Sequence, residues 1–286
     1  MEYNAPFDIR TIRENLSMEQ EEFASLFGLD KSLLARYEKG SLMPSNPTLE
    51  RIYDYAYHKG IRLNVVKEML YRESLKSDEL LLFHGSKKGI DGEPTIEKSE
   101  PSKDFGKGFY LGDSFQQSAM FVNPYPESGI YFFRFQKEKG IKVFSATIDL
   151  FWVLAICHYR GYLKKYDDHP LVQSVVKQIE ESDLVIAPIA DNRMFTIMSD
   201  FANELITDVE CMRSLAASNL GLQYVFRNDG VINRSLQMLE KSFLCSSERK
   251  RYNDEKKKQN EDAEQKAKII KREYRGKGQF IDQLLK

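Results

Sequence analysis

The sequence predicts an α+β protein with an all-helical N-terminal segment, a mixed α/β segment and a charged helical tail. Apolar residues recur at helical spacing from residue 7 to about residue 63. From residue 79 short β-favouring runs alternate with helical stretches, and from residue 246 apolar residues become sparse. These changes place the expected domains at 1–66, 67–78, 79–245 and 246–286.

Length and composition restrict the class of protein. A chain of 286 residues is long enough for two domains with a substantial core. Cys157, Cys211 and Cys245 lie far apart and outside metal-ligand spacing, so we expect reduced thiols, no metal site and a cytoplasmic protein. The first residues resemble no signal peptide, and the most apolar stretch, 146–157, is too short to span a membrane.

The N-terminal segment is predicted to form consecutive amphipathic helices. Gly28 ends one helix, and Asp30 is a suitable N-cap for the next, which runs from Lys31 to Lys39 and stops at Gly40. A turn-rich connector and a further helix follow. The apolar positions that define the buried faces are Ile9, Ile12, Leu16, Phe23, Ala24, Phe27, Leu49, Ile52, Tyr53 and Ala56.

The segment from Gln20 to Gly40 resembles the helix-turn-helix of Cro and phage repressors. The resemblance makes Asp30 to Lys39 the recognition helix, with Leu34 and Tyr37 in the core. It also implies contact with DNA by one residue at the phosphate-touching position and four on the groove-facing side. These residues are Gln20, Lys31, Ser32, Leu33 and Arg36.

The charge of this module is unfavourable for DNA binding by one copy. Residues 7–62 contain eight Lys or Arg and nine Asp or Glu, whereas DNA affinity comes largely from neutralised phosphates. We therefore expect a homodimer or a second basic surface to contribute. The tail at 246–278 has twelve Lys or Arg and seven Asp or Glu, although such segments are usually solvated helices. The alternative is a module that serves only dimerisation or protein contact.

The segments that follow are predicted from their apolar runs. Val65, Val66, Met69 and Leu70 lie at helical spacing and indicate a helical linker. A long helical stretch at 151–181 contains Trp152, which we expect to be a packing residue. Strands are expected at 80–83, 129–135, 184–189 and 222–226.

Two short motifs in the mixed segment are candidates for chemistry. The first strand leads into His84-Gly85-Ser86, and about twenty residues later Gly106-Lys107-Gly108 precedes Tyr110. Glycine permits a positive φ or a close approach of the backbone to a ligand, and a tyrosine ring offers a flat face with a polar tip. Each motif alone is also typical of a structural histidine or an ordinary turn.

With two later motifs, at 183–195 and 223–226, these residues resemble an uncharacterised bacterial family of the ADP-ribosyltransferase superfamily over residues 82–239. The resemblance implies a mixed α/β domain with a split antiparallel sheet and NAD as substrate. In its His-Tyr-Glu branch the histidine binds a ribose hydroxyl, the next glycine holds the carboxamide and the tyrosine stacks on nicotinamide. Those roles fall on His84, Gly85 and Tyr110. The full set of expected NAD-binding residues is His84, Gly85, Ser86, Lys107 and Tyr110.

The glutamate of that branch, which binds the nicotinamide ribose, is replaced here by Gln223. Cleavage of the N-glycosidic bond develops positive charge on the sugar, which a carboxylate stabilises better than an amide does. Gln223 therefore indicates slow chemistry or help from Asp191 or Asp104. Asp191 is a candidate acid–base group for the acceptor, and its alternative is a helix N-cap or an ion pair with Arg193. Lys107 and Arg193 are candidates for balancing the pyrophosphate.

Two classes of function fit these residues. The first is an ADP-ribosyltransferase, acting as a toxin or phage-defence effector with a small antitoxin partner, an autoregulatory helix-turn-helix and a protein or nucleic-acid acceptor. The second is a transcriptional regulator whose C-terminal domain binds NAD or an ADP-ribose derivative without turnover. Gln223 favours the regulator and the Asp191 motif favours the enzyme, which is our preferred interpretation.

Overall fold

The computed structural model describes residues 3–125, 128–190, 192–217 and 220–286. Its helices are α1 (Ala5–Asn15), α2 (Gln20–Leu26), α3 (Lys31–Glu38), α4 (Asn46–His58), α5 (Leu63–Ser74), α6 (Phe115–Val122), α7 (Leu150–Tyr159), α8 (Pro170–Glu180), α9 (Asn192–Ala202), α10 (Asp208–Ala216), α11 (Asp229–Ser235), α12 (Ser246–Glu273) and α13 (Ile281–Leu284). Its strands are β1 (Glu79–Ser86), β2 (Phe109–Gly112), β3 (Gly129–Gln136), β4 (Val143–Ser145), β5 (Leu184–Pro188), β6 (Leu222–Phe226) and β7 (Leu236–Ser242). Within the described ranges, no helix combines the length and the apolar character needed to cross a membrane.

The chain forms two compact units, each built from three stretches of sequence. The first unit comprises Met1–Gly89, Ser118–Phe135 and Met238–Glu255. The second unit comprises Ile90–Gln117, Gln136–Gln237 and Lys256–Lys286. Each unit contains both helices and strands.

Helices α1 to α5 surround one core in the first unit. The apolar faces predicted for the N-terminal helices are buried, for example at Ile12, Phe23 and Ile52. Phe243 and Cys245, which follow strand β7, belong to the same core. In this unit β3 lies between β1 and β7. The helix-turn-helix core therefore includes residues from far along the chain.

Helix α5 buries polar residues instead of the apolar residues that predict it. Val65, Val66, Met69 and Leu70 are exposed, whereas Asn64 and Lys67 are buried. Asn64 and Lys67 are buried because they have polar partners in the first unit. The helical spacing of the apolar residues does not reveal these partners.

A buried ion-pair network holds Lys67 in the first unit. Its ammonium group lies 2.7 Å from the Asp8 carboxylate of α1 and 2.7 Å from the Glu240 carboxylate of β7. Tyr53 donates a hydrogen bond to Asp8, and Tyr71 donates one to Glu240 at 3.0 Å. Burial lowers the pKa of Lys67, but the two carboxylates outweigh it and the pKa is raised, so the lysine is charged.

The start of α12 also packs in the first unit, whereas the sequence favours a solvated tail. The Ser246 and Ser247 backbone N–H groups donate to Glu50 and Asp54 of α4, at 2.7 and 3.2 Å. The Asn64 amide donates to the buried Glu248 carboxylate at 2.9 Å. From residue 253 to residue 273, a fully described stretch, no side chain is buried, as expected for a charged helix.

Glu248 is expected to make the stability of the protein depend on pH. Burial raises the pKa of Glu248 from 4.5 to about 7, although Asn64, Arg251 and Arg62 act in the opposite direction. The contribution of such a carboxyl group to the free energy of unfolding is fully present below pH 4.5, and it is lost as the pH rises through about 7. Glu248→Gln should remove a pH-dependent contribution on the order of 3 kcal/mol to the free energy of unfolding. Urea denaturation of both proteins from pH 4.5 to pH ~8 tests this, and identical pH profiles would contradict it.

Four strands of the second unit lie side by side in the order β4-β5-β6-β2. The β4–β5 pair is parallel, and the β5–β6 and β6–β2 pairs are antiparallel. The expected antiparallel sheet is therefore mixed here. In the register, Ala187 and Gly112 lie on either side of Gln223. Because alternate residues point to opposite faces of a sheet, Tyr110, Ala187 and Gln223 share one face, against which α7 to α10 pack.

The predicted elements are largely present, with two corrections. Strands appear at all four predicted runs, as β1, β3, β5 and β6, while β2, β4 and β7 lie outside these runs. The predicted helical stretch 151–181 is interrupted, because α7 ends before Gly161, whose φ of +73° suits a glycine after a helix end. Trp152 is fully buried, which confirms its packing role.

Candidate functional site

The helix-turn-helix places the predicted DNA-binding residues on α2 and α3. The Asp30 carboxylate caps α3 by accepting from the Leu33 N–H at 2.8 Å, and it accepts from the Ser32 hydroxyl at 2.6 Å. These two hydrogen bonds lower the pKa of Asp30, the Ser32 bond more strongly. Lys31, Ser32 and Arg36 are exposed, and Leu33 is half-buried. Leu34 and Tyr37 are buried, as the resemblance implies.

Gln20 lies at the start of α2 and is hydrogen-bonded within the module. Its amide donates to the buried Glu38 carboxylate at 2.8 Å. The Arg13 guanidinium also donates to Glu38, at 2.6 Å through Nε, and the Arg10 guanidinium donates to the Glu38 carbonyl at 2.9 Å. Glu38 therefore fixes α1, α2 and α3 relative to one another and holds the Gln20 amide at the N-terminus of α2.

The His84-Gly85-Ser86 motif forms the last part of β1 in the first unit. A Cβ atom on Gly85 would lie 2.9 Å from the Ser118 carbonyl oxygen of α6, so the glycine permits close packing of α6 against β1. The Ser86 hydroxyl donates to the Gly89 carbonyl at 2.6 Å. The His84 ring is half-buried, and its centre lies 6.4 Å from that of Tyr131. Close packing thus explains the glycine at position 85, and a local hydrogen bond explains the serine at position 86. Neither explanation needs a ligand.

Tyr110 closes the glycine turn that precedes it in the second unit. Its hydroxyl donates to the Gly106 carbonyl at 2.7 Å and accepts from the Phe105 N–H at 3.1 Å. A Cβ atom on Gly108 would lie 2.5 Å from the Val225 side chain, so this glycine lets the turn approach β6. The Lys103 ammonium lies 5.0 Å from the centre of the Tyr110 ring. Burial raises the pKa of Tyr110, which keeps its phenol protonated.

Two buried residues, Asp104 and Gln223, form a polar cluster with the half-buried Arg160 next to this turn. One Asp104 oxygen, Oδ1, accepts from Arg160 at 2.6 and 3.1 Å. The other, Oδ2, accepts from Gln223 Nε2 at 3.1 Å, and the same nitrogen donates to the Pro188 carbonyl at 3.0 Å. Burial raises the pKa of Asp104, against the lowering effects of Arg160 and Gln223. Asp104 thus links the turn to the end of α7 and to β6.

The remaining predicted residues of the second unit lie elsewhere. Lys107 is exposed, with its ammonium 3.8 Å from the Glu97 carboxylate. Arg193 donates from Nη1 to the carbonyls of Gln259 and Asn260 in α12, at 3.0 and 3.3 Å. Asp191 lies outside the residues that the structure describes.

A cleft of about 440 Å³ opens beside β5 and β6 in the second unit. Its lining is mostly apolar, with Asp113 as its one charged side chain among the residues described. Asp113 accepts from the Leu222 N–H at 3.1 Å. Pro188 belongs to both the cleft lining and the contacts of Gln223, so the two features adjoin. Volumes of this size are typical of small-molecule sites.

Arg160 is the functional candidate that the sequence reasoning misses. It lies within the stretch predicted as one continuous helix, and only the break at Gly161 gives it the position of a helix C-cap. Gly161 is the signal that points to it, because glycine commonly follows the last residue of a helix. At this position Arg160 lies at the end of α7, and its guanidinium reaches Asp104.

Comparison with family models identifies two parts of the chain. Residues 80–238, more than half of the chain, match the family described as "Protein of unknown function (DUF3990)". Residues 9–56 match the helix-turn-helix family, which confirms that part of the prediction. Comparisons with curated proteins and with solved structures found no match. The chain therefore belongs to the DUF3990 family, with a helix-turn-helix module in front of its family domain.

Proposed function

We propose that the DUF3990 domain binds NAD and transfers its ADP-ribose group, and that the helix-turn-helix binds DNA. The observation that carries the first part is the placement of Gln223 and Tyr110 on one face of the sheet. Both residues occupy positions that contact NAD in the superfamily that the sequence resembles. A buried carboxylate and a ligand-sized cleft adjoin Gln223, which supports a site of this kind.

The proposed reaction breaks the bond between ribose C1′ and the nicotinamide nitrogen. The bonding electron pair leaves with nicotinamide, and a lone pair of the acceptor forms the new bond at C1′ while the acceptor loses a proton. The protein's part is to hold the ribose and to stabilise the positive charge that develops on it. Gln223 would accept a hydrogen bond from the ribose hydroxyl, and Tyr110 would hold the nicotinamide ring after Lys103 moves from the ring face. Asp191 remains our proposed proton acceptor.

The experiment for this activity uses the purified full chain with NAD and cell lysate. Nicotinamide release and a mass increase of an acceptor by one ADP-ribose group are the expected results. Release without a modified acceptor would identify a hydrolase.

DNA binding is supported by the exposed face of α3. Lys31, Ser32 and Arg36 point away from a core that buries Leu34 and Tyr37, so a major groove is able to receive them. The Asp30 cap and the Glu38 network fix the helix that carries them.

Arg36→Ala is expected to weaken binding to DNA that carries the gene's own promoter by about 1–3 kcal/mol, as for a lost arginine contact. Binding should also weaken steeply as the salt concentration rises. Gel retardation measures both effects, with the exposed Lys164 of the second unit as a control, since Lys164→Ala removes one charge outside the module. Weak retardation of any DNA, unchanged in Arg36→Ala, would leave the module as a dimerisation or protein-contact element.

A regulator that binds NAD without turnover is the second candidate. It is favoured by one observation: the Asp104 carboxylate, the nearest negative charge to Gln223 in the described cluster, is paired with Arg160 at 2.6 Å. A neutralised carboxylate contributes less to an oxocarbenium-like state. NAD binding by wild type without nicotinamide release would select this function.

A further inference from the structure

The orientation of the Gln223 amide is determined by its neighbours. Its nitrogen lies within hydrogen-bond distance of two acceptors, the Asp104 carboxylate at 3.1 Å and the Pro188 carbonyl at 3.0 Å. An amide nitrogen has two hydrogens, and these acceptors use both. The amide oxygen, Oε1, is left as the polar atom directed elsewhere, and among the described residues no donor bonds to it. Gln223 therefore presents an acceptor only.

Asp104 is itself held in place. Arg160 donates twice to its Oδ1, which leaves Oδ2 for Gln223. Asp104 and Gln223 are both buried, at 6% exposure each, so water does not readily replace this hydrogen bond. A buried carboxylate is costly unless it is paired, and Arg160 and Gln223 together pair both oxygens of Asp104.

We propose that Asp104 is a positioning residue, whose carboxylate orients the Gln223 amide so that its oxygen accepts a hydrogen bond from a hydroxyl group of the ligand. The two residues then form a carboxylate–amide pair in which the amide contacts the ligand and the carboxylate lies behind the amide. The charge that a glutamate would present directly to the ligand is held one hydrogen bond away, on Asp104. This inference rests on the proposed function for the identity of the ligand, the ribose of NAD.

The pair explains why glutamine is suited to position 223. A glutamate there would bring a carboxylate oxygen to about the position of Nε2, against the Asp104 carboxylate and the Pro188 carbonyl. Three acceptors would then face one another, and only the uptake of a proton by one of the two carboxylates would supply a hydrogen between them. Combining Asp104→Asn with Gln223→Glu restores a donor, because the new amide at position 104 would donate to the new carboxylate at position 223 while its oxygen still accepts from Arg160.

The first test compares stability in wild type, Gln223→Glu, Asp104→Asn and the double exchange. We expect Gln223→Glu to lower the thermal midpoint most and the double exchange to recover a large part of the loss. The Asp183–Asn228 pair, in which the amide donates to the carboxylate at 2.8 Å, is the matched control, since it is more exposed. Asn228→Asp should cost much less than Gln223→Glu. Equal losses for Gln223→Glu and the double exchange would overturn the coupling.

The second test uses NAD and an NAD analogue whose nicotinamide ribose lacks the 2′-hydroxyl. Calorimetric titration of wild type should show at least tenfold tighter binding of NAD. In Asp104→Asn this ratio should shrink, because Gln223 is no longer held in one orientation, whereas a merely structural role would weaken both ligands equally. If wild type binds NAD and the ratio of the affinities for NAD and for the analogue is the same in Asp104→Asn, the inference about Asp104 is overturned and the proposed function stands. No NAD binding by wild type would overturn the proposed function and the ligand assignment of the pair together.

Discussion

Lys67→Ala is expected to lower the free energy of unfolding by about 3–5 kcal/mol, the usual cost of removing one partner from a buried ion pair. The Lys67 ammonium lies 2.7 Å from both Asp8 and Glu240, and its side chain is only 2% exposed. Without it, two carboxylates would remain buried near each other, one on α1 and one on β7. Urea denaturation followed by circular dichroism measures the loss.

The matched control for this prediction is Arg72→Ala on the same helix. Arg72 pairs with Glu68 at 2.8 Å, but its side chain is 44% exposed. Exposed pairs contribute about 0–1 kcal/mol, so this variant should be close to wild type. A loss for Lys67→Ala no larger than that for Arg72→Ala would show that the buried network does not stabilise the first unit.

Tyr110→Ala is expected to weaken NAD binding by roughly 1–3 kcal/mol, the range for a lost aromatic contact or an unpaired polar group. Two causes combine, because the variant removes the ring and also the hydroxyl that binds Gly106 and Phe105. Tyr110→Phe separates them, since it keeps the ring, and should lose less affinity.

Tyr162→Ala is the control for these variants, because Tyr162 is an exposed tyrosine of the second unit. Calorimetric titration with NAD gives the affinities, and the thermal midpoint of each variant shows whether it is folded. Unchanged affinity in Tyr110→Ala would remove Tyr110 from the proposed site.

Local signals in the sequence predict much of the fold correctly. Asp30 caps α3, Leu34 and Tyr37 enter the core, and the apolar runs of β5 and β6 are strands. Each of these depends on residues close together in sequence, where spacing and side-chain type are sufficient. The helix-turn-helix follows from the same kind of signal.

The contacts that form the candidate site and the buried network are long-range and have no periodic signature. Gln223 lies 119 residues from its partner Asp104, and Lys67 lies 59 residues from Asp8. Helix α5 shows the consequence, since its apolar residues Val65 and Met69 are exposed while Lys67 is buried. Only the three-dimensional arrangement reveals which polar residues have partners.

The most direct test of the central claim is nicotinamide release from NAD by wild type, Gln223→Ala and Gln178→Ala. Gln178 lies on α8, and its amide donates only to the Ser174 carbonyl of its own helix among the described contacts, so it is a matched glutamine control. The account predicts release by wild type and by Gln178→Ala, and its loss in Gln223→Ala. NAD that is neither bound nor cleaved by the folded wild-type protein would contradict it.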